Sequence, residues 1–188
     1  MGGRIIMKKF EEKTTHSEKI FDGKVISLKV DDVMLPNGET SKREIINHPG
    51  AVAILAITDE GKFLVVEQYR KALERSIIEI PAGKLEKGEE PIDTARRELE
   101  EETGFTSDSF ELIQSFSTSP GFADEIIHVF VARNLKKLDV PVAMDEDEFV
   151  ELMEVTVEEA EMMMSKNRIF DAKTVFAVLW MKLNRKIF

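Results

Sequence analysis

Residues 83–105 read GKLEKGEEPIDTARRELEEETGF. Ile92, Ala95 and Leu99 recur at helical spacing and predict an amphipathic helix with these three on its buried stripe. Pro91 suits the first turn, where a missing N–H costs nothing, and Gly104 suits a left-handed C-terminal cap. Within that helix Glu98, Glu101 and Glu102 stand three and four residues apart, so their side chains crowd one face. Like charges at those offsets cost a helix roughly 0.2–0.5 kcal/mol per pair unless a cation lies between them. A hard divalent ion held by carboxylate oxygen, Mg²⁺ or alternatively Mn²⁺, answers that need. On a helical wheel Glu98 and Glu102 border the apolar stripe and Glu101 lies further round, which aims the carboxylates at a cleft edge. Arg96 with Glu100 and Arg97 with Glu101 also stand at i,i+4 spacing and can form ordinary helix ion pairs.

The rest of the chain bounds what such a cluster can serve. A length of 188 residues, 43% of them hydrophobic and 33% charged, suits one well-buried core with a small appended piece. A net charge of −10 argues against nucleic acid as the main partner. The same charge means that a polyanionic substrate needs local help from metal ions or arginines. With no cysteine, disulfides, thiol catalysis and thiolate metal sites are excluded, in keeping with a cytoplasmic protein. No apolar run approaches the roughly 20 residues of a membrane span, and the N-terminus carries neither a secretory apolar stretch nor a myristoylation signal.

Residues 17–30 and 31–48 alternate apolar and polar side chains, with turn signals at Asp22-Gly23 and Pro36-Asn37-Gly38, and predict antiparallel strands. Residues 51–57 and 63–67 are short β-type runs either side of Asp59-Glu60-Gly61, which predicts a hairpin. Further strands are expected at 76–80, 111–116, 126–132 and 150–155. Thr156 with Glu159 forms a capping box for a helix running to about Lys166. Asp171 is expected to cap a terminal helix that packs through Val175, Phe176, Leu179 and Trp180. The architecture implied is α/β: a mixed β-sheet between helices over residues 48–188, preceded by a small antiparallel β segment over residues 1–47.

The quoted stretch also resembles the Nudix box, G-x5-E-x7-R-E-U-x-E-E-x-G-U with U a bulky apolar residue. The matching residues are Gly83, Glu89, Arg97, Glu98, Leu99, Glu101, Glu102, Gly104 and Phe105. A chance match is on the order of 10⁻⁹ per window at average residue usage, which removes coincidence. The resemblance implies an α/β/α sandwich that hydrolyses a nucleoside diphosphate linked to another moiety. It makes Glu98 and Glu102 the main metal ligands, with Glu101 assisting and the Ala82 carbonyl as a further ligand. It gives Arg97 and Glu89 the work of orienting those carboxylates.

Around the box, Glu67-Gln68-Tyr69-Arg70, Glu79-Ile80-Pro81-Ala82 and Ser119-Pro120-Gly121-Phe122 resemble the ADP-ribose pyrophosphatase branch, with Pro120 as its marker. That likeness implies a homodimer that exchanges N-terminal strands, so that Arg43 reaches the partner's substrate. It implies contact of Arg70 with the phosphates or the purine region, of Glu79 and Glu125 with the base or terminal ribose, and close backbone approach at Gly121. The general base would come from an acidic loop, with Glu148 aligning best and Glu146 as its neighbour. Plainer readings stand beside these: Asp145 to Glu148 as a solvated loop, Arg43 and Arg70 as surface arginines, Gly50 and Gly121 as turn residues, and Met162, Met163 and Met164 as adaptable packing. The rival functions are hydrolysis of a nucleoside diphosphate sugar, NADH or a dinucleoside polyphosphate, and a non-catalytic ADP-ribose sensor. The intact box and the lack of a basic DNA-binding segment weigh against the sensor.

Overall fold

The computed structural model describes residues 8–140, 142–143 and 149–184. The chain divides into two compact units. One holds the described residues up to Pro49 together with Ser117–Glu125; the other holds Gly50–Phe116 and the described residues from Ile126 onward.

In the first unit β1 (Lys13–Asp22), β2 (Ser27–Met34) and β3 (Thr40–Asn47) form an antiparallel sheet in that order. Its turns fall where the glycines predict. The Gly23 amide closes one on the Ile26 carbonyl, and Gly38 enters the left-handed region at φ 87° in the other. The alternation of β1 does not bury a face, however: all ten of its residues are exposed, among them Ile20 and Phe21. Segment 117–125 is fastened to the end of β3. Ile46 donates its N–H to Phe122 O, and Asp124 accepts from Asn47 Nδ2 at 2.7 Å and from His48 N at 2.8 Å.

The second unit is layered around β4 (Ala51–Ala56), whose apolar run is buried on both faces, as a central strand requires. Ala53 and Leu55 face one core cluster, while Val52, Ile54 and Ala56 face another. Each fully buried Ile or Leu contributes roughly 1.5–3 kcal/mol. β4 runs parallel to β10 (Ile126–Arg133) and antiparallel to β7 (Ala82–Lys84), and β9 (Ser109–Ser117) completes this mixed sheet in the order β7-β4-β10-β9. β5 (Phe63–Arg70) pairs antiparallel with β6 (Arg75–Glu79) and β12 (Val150–Val155) in a second sheet. β8 (Phe105–Thr106) and β11 (Lys136–Lys137) make a short pair. Helix α1 (Pro91–Thr103) packs on the Val52 cluster, and α2 (Val157–Ser165) and α3 (Ala172–Leu183) pack on the Leu55 cluster. The α/β class with helices on both sides of the sheets is therefore as the sequence implied.

Three local expectations need correction. The Asp59-Glu60-Gly61 turn forms, with Gly61 N–H donating to Thr58 O, but it joins no hairpin ladder. β4 and β5 share one isolated bridge, Ile57 with Phe63, before parting into different sheets. In α1, Ile92 is 41% exposed, and the buried face is instead Thr94, Ala95, Glu98, Leu99, Glu102 and Thr103. The stripe thus lies across the two glutamates rather than beside them. In α3 the packed side is broader than expected: Val175, Phe176 and Trp180 pack against the core as predicted, Lys173, Thr174, Ala177, Val178 and Met181 are buried, and only Leu179 of the expected residues is exposed. Both predicted caps are present, with Thr156 and Glu159 bonding reciprocally and Asp171 accepting from Thr174 N.

Candidate metal and substrate site

Helix α1 opens with Pro91 as its first residue and closes at Gly104, left-handed at φ 68°, whose N–H donates to Glu100 O. Ala95 and Leu99 seat it against the sheet. That docking carries Glu98 and Glu102 into a buried setting at 6% and 5% exposure, against strand β7. Two contacts define the juncture. Ala82 N donates to Glu102 Oε2 at 2.9 Å. Glu98 lies so close over Gly83 that a Cβ there would fall 1.8 Å from Glu98 Oε1, so no larger residue leaves room for this carboxylate. The register Val52–Gly83 and Ala53–Ala82 ties that backbone to the central strand.

Arg97 organises the outer side. Its Nη1 donates to Glu98 Oε1 at 2.8 Å and to Glu101 Oε2 at 2.9 Å, and its Nε and Nη2 reach Glu89 at 3.3 Å. Nη2 also donates to Lys84 O. Burial pulls the guanidinium's pKa down, but the Glu89 hydrogen bond, the charge of Glu98 and the hydrogen bonds to Glu101 and Glu98 outweigh it, and the net shift is upward. Glu89 is held below the usual carboxylate range, first by Arg97 and then by the Thr94 hydroxyl, which donates to Glu89 Oε2 at 2.7 Å. The i,i+4 pair of Arg97 with Glu101 is present, whereas Arg96 turns to Asp93 rather than Glu100.

Among the described residues no three acidic or histidine side chains converge as a ready metal cage. Glu98 and Glu101 turn toward Arg97, and Glu102 turns toward the Ala82 amide. The donor set nevertheless fits a hard divalent cation. Its side-chain donors are all carboxylate oxygens, two of those acids, Glu98 and Glu101, share a single guanidinium with Glu89, and Gly83 keeps open the space that the Glu98 carboxylate uses.

A second charged group lies at the end of β6. Glu79, 3% exposed, accepts from Arg70 Nε at Oε2 and from Lys173 Nζ at Oε1, each at 2.5 Å. Lys173 also donates to Asp171 Oδ1 at 2.9 Å. Arg70 and Glu79 are thus brought together as one ion pair.

The remaining candidates among the described residues fall in the first unit. Arg43, on β3, makes a bidentate pair with Glu12 at 2.6 and 2.8 Å and also donates to Ser41 Oγ. Glu125 accepts from Thr118 Oγ1 at 2.7 Å and lies 3.6 Å from His48 Nδ1. Gly121 has ordinary φ and open space where a Cβ would stand, so neither conformation nor packing demands a glycine there. Glu146 and Glu148 lie outside the described residues. Sequence reasoning passed over Thr94, Asp124 and Lys173. Only the last left a signal: a lysine interrupting the apolar run of a capped helix.

A NUDIX domain model matches residues 47–178. The chain is 59% identical to the ADP-ribose pyrophosphatase of Bacillus subtilis (strain 168), over 96% of this chain and 98% of that one. It is also 59% identical to the methanol dehydrogenase activator of Bacillus methanolicus, over 96% and 97% respectively. A solved crystal structure of an ADP compounds hydrolase superposes with a TM-score of 0.82 at 19% identity, covering 94% of this chain and 95% of the other, which shows a shared fold.

Proposed function

The chain belongs to the NUDIX family, and from that membership we propose that it hydrolyses the pyrophosphate of ADP-ribose to AMP and ribose 5-phosphate. The observation that carries this reading is the 59% identity to the Bacillus subtilis enzyme over 96% of this chain. Glu98, Glu101 and Glu102, with the Ala82 carbonyl, would hold the divalent metal, for which Mg²⁺ is proposed and Mn²⁺ can substitute. That metal would supply charge neutralisation of the diphosphate and a more acidic water.

The protein's own residues do the rest. Arg97 and Glu89 fix the orientation of the carboxylates. Arg70, anchored on Glu79 with its outer edge half-exposed, offers paired N–H donors of the kind that phosphate oxygens accept. Gly121 admits close backbone approach, and Glu125 receives the terminal ribose or the base. Glu148, or its neighbour Glu146, takes the proton of the attacking water. Arg43 serves a partner subunit's substrate in a homodimer. Support for a homodimer is the wholly exposed β1, with Ile20 and Phe21 bare; Arg43 must then exchange Glu12 for ligand. A cytoplasmic setting suits the cysteine-free chain.

The decisive experiment is steady-state hydrolysis of a panel of diphosphates with Mg²⁺ and with chelator, following AMP release. Preference for GDP-mannose, NADH or a dinucleoside polyphosphate would defeat the ADP-ribose assignment. Light scattering that shows a monomer would remove Arg43 from the site. The equal identity to the methanol dehydrogenase activator favours a second reading, in which the physiological outcome is activation of a dehydrogenase. Assay of a methanol dehydrogenase with and without this protein tests it.

A further inference from the structure

The β5–β6 hairpin ends in two arginines opposite one another across the ladder, Arg70 and Arg75. Like charges so placed repel, and each guanidinium is drawn to a different anchor. Arg75 lies over the Phe170 ring, 4.2 Å from its centroid. Arg70 gives Nε to Glu79, and its terminal nitrogens make no hydrogen bond among the described residues. The pose of Arg70 therefore depends on Glu79 being charged and correctly turned. A carboxylate buried this deeply stays charged only if its oxygens are matched by cations or donors. The second oxygen is matched by Lys173, itself buried. Lys173 is held by Asp171, the N-cap of α3, whose Oδ1 also accepts from Thr174 N. The next link returns to the same strand end, where Thr174 Oγ1 accepts from Ile80 N at 3.0 Å.

We propose that Lys173 is a positioning residue for substrate binding: through Glu79 it fixes the guanidinium of Arg70 so that two N–H groups face a phosphate oxygen. Glu79 then works beneath the ligand rather than against it. The inference rests on Arg70 being a phosphate contact, and it adds the element that holds that contact in place. Arg70 alone, with Arg75 across from it, would be pushed among several poses. Ordering a long side chain in advance lowers the entropy that binding must otherwise lose.

The test is a double-mutant cycle in the full-length enzyme, with Lys173→Met, Arg70→Met and both together, read as KM and kcat for ADP-ribose with Mg²⁺. Lys173→Met is expected to raise KM roughly tenfold with kcat changed less than about twofold, and to add nothing further in the Arg70→Met background. A lysine that merely pins α3 would lower the melting temperature and leave KM alone, or act additively with Arg70→Met; either result overturns the proposal. If Arg70→Met itself leaves KM unchanged, the reading of Arg70 as a phosphate contact fails first, and this inference falls with it. Should Lys173→Met not fold, Lys173→Gln keeps a donor to Glu79 without its charge and is expected to raise KM in the same non-additive way. An unchanged KM in that variant overturns the proposal equally.

Discussion

Around Arg97 one guanidinium serves three carboxylates, Glu89, Glu98 and Glu101, whereas around Glu79 two cations, Arg70 and Lys173, face two acids, Glu79 and Asp171. Both groups belong to the same α/β unit, and both put a carboxylate at 6% exposure or less. Their balance differs. The first is short of positive charge, with Glu102 buried close by on the Ala82 amide, so a further cation lowers its energy. The second is neutral as it stands, so its charges hold one another in place. One cluster is arranged to take up a divalent ion and the other to fix the direction of an arginine.

The largest expected effect comes from removing charge in the deficient cluster. Glu98→Gln or Glu102→Gln should lower kcat by roughly 10³-fold or more, because the metal's neutralising role goes with the ligand. Folding should survive, with the melting temperature moved by less than about 4 °C, since each change relieves like-charge crowding. Near-normal turnover by either variant at saturating Mg²⁺ would break the ligand assignment. Metal itself should stabilise the wild type, by about 2.7 kcal/mol at a hundredfold excess over its Kd. The Glu98→Gln/Glu102→Gln double variant should show no such rise in thermal melts with and without chelator.

A smaller effect should follow from displacing a ligand without removing it. Gly83→Ala sets a methyl 1.8 Å from Glu98 Oε1. The obstructing atoms are the far end of a flexible side chain, so the fold can yield while the carboxylate moves away. Activity should fall roughly 10–100-fold, as when groups that orient metal ligands are lost, with little change in melting temperature. Arg97→Met should fall in the same range. A Gly83→Ala enzyme of full activity would mean that the Glu98 position over β7 is not the working one.

How much of this was legible differs between the clusters for the same physical reason. The carboxylate cluster is local: Glu98, Glu101 and Glu102 share one helix, Glu89 precedes it by a few residues, and Pro91 and Gly104 mark its ends. Spacing along a helix is a spatial statement, so the sequence could be read as geometry. The depth of burial was not legible, because the helix turns further onto its glutamates than Ile92 suggests, and Gly83 makes the space for that. The Glu79 cluster joins residues 94 positions apart, and no periodicity links a strand end to a later helix cap. Likewise, the turn after β4 was readable from Asp59-Glu60-Gly61, but the parting of β4 and β5 into separate sheets depends on which partners each finds, a tertiary choice. In the first unit, alternation correctly placed the strands but not a buried face, since β1 stays exposed over its whole length.

The smallest effect tests whether Arg97 is energetically as well as geometrically shared. Glu89 is held below its ordinary value of 4.5, chiefly by the Arg97 hydrogen bond. A carboxyl group depressed in the folded state adds stability that is fully present above its unfolded value. That stability is lost as pH falls through the lower folded value. Comparing wild type with Glu89→Gln removes this carboxyl group and no other. The amide retains the shape that meets Thr94 and loses the charge that meets Arg97. Wild type should therefore melt higher than Glu89→Gln at neutral pH, and the gap should close progressively below about pH 4.5. A gap that persists unchanged to pH 3 would mean that Glu89 contributes by shape alone. The charge deficit around Arg97 would then be one carboxylate smaller than the contacts suggest, and the attraction of this cluster for a cation would rest more heavily on Glu98, Glu101 and Glu102.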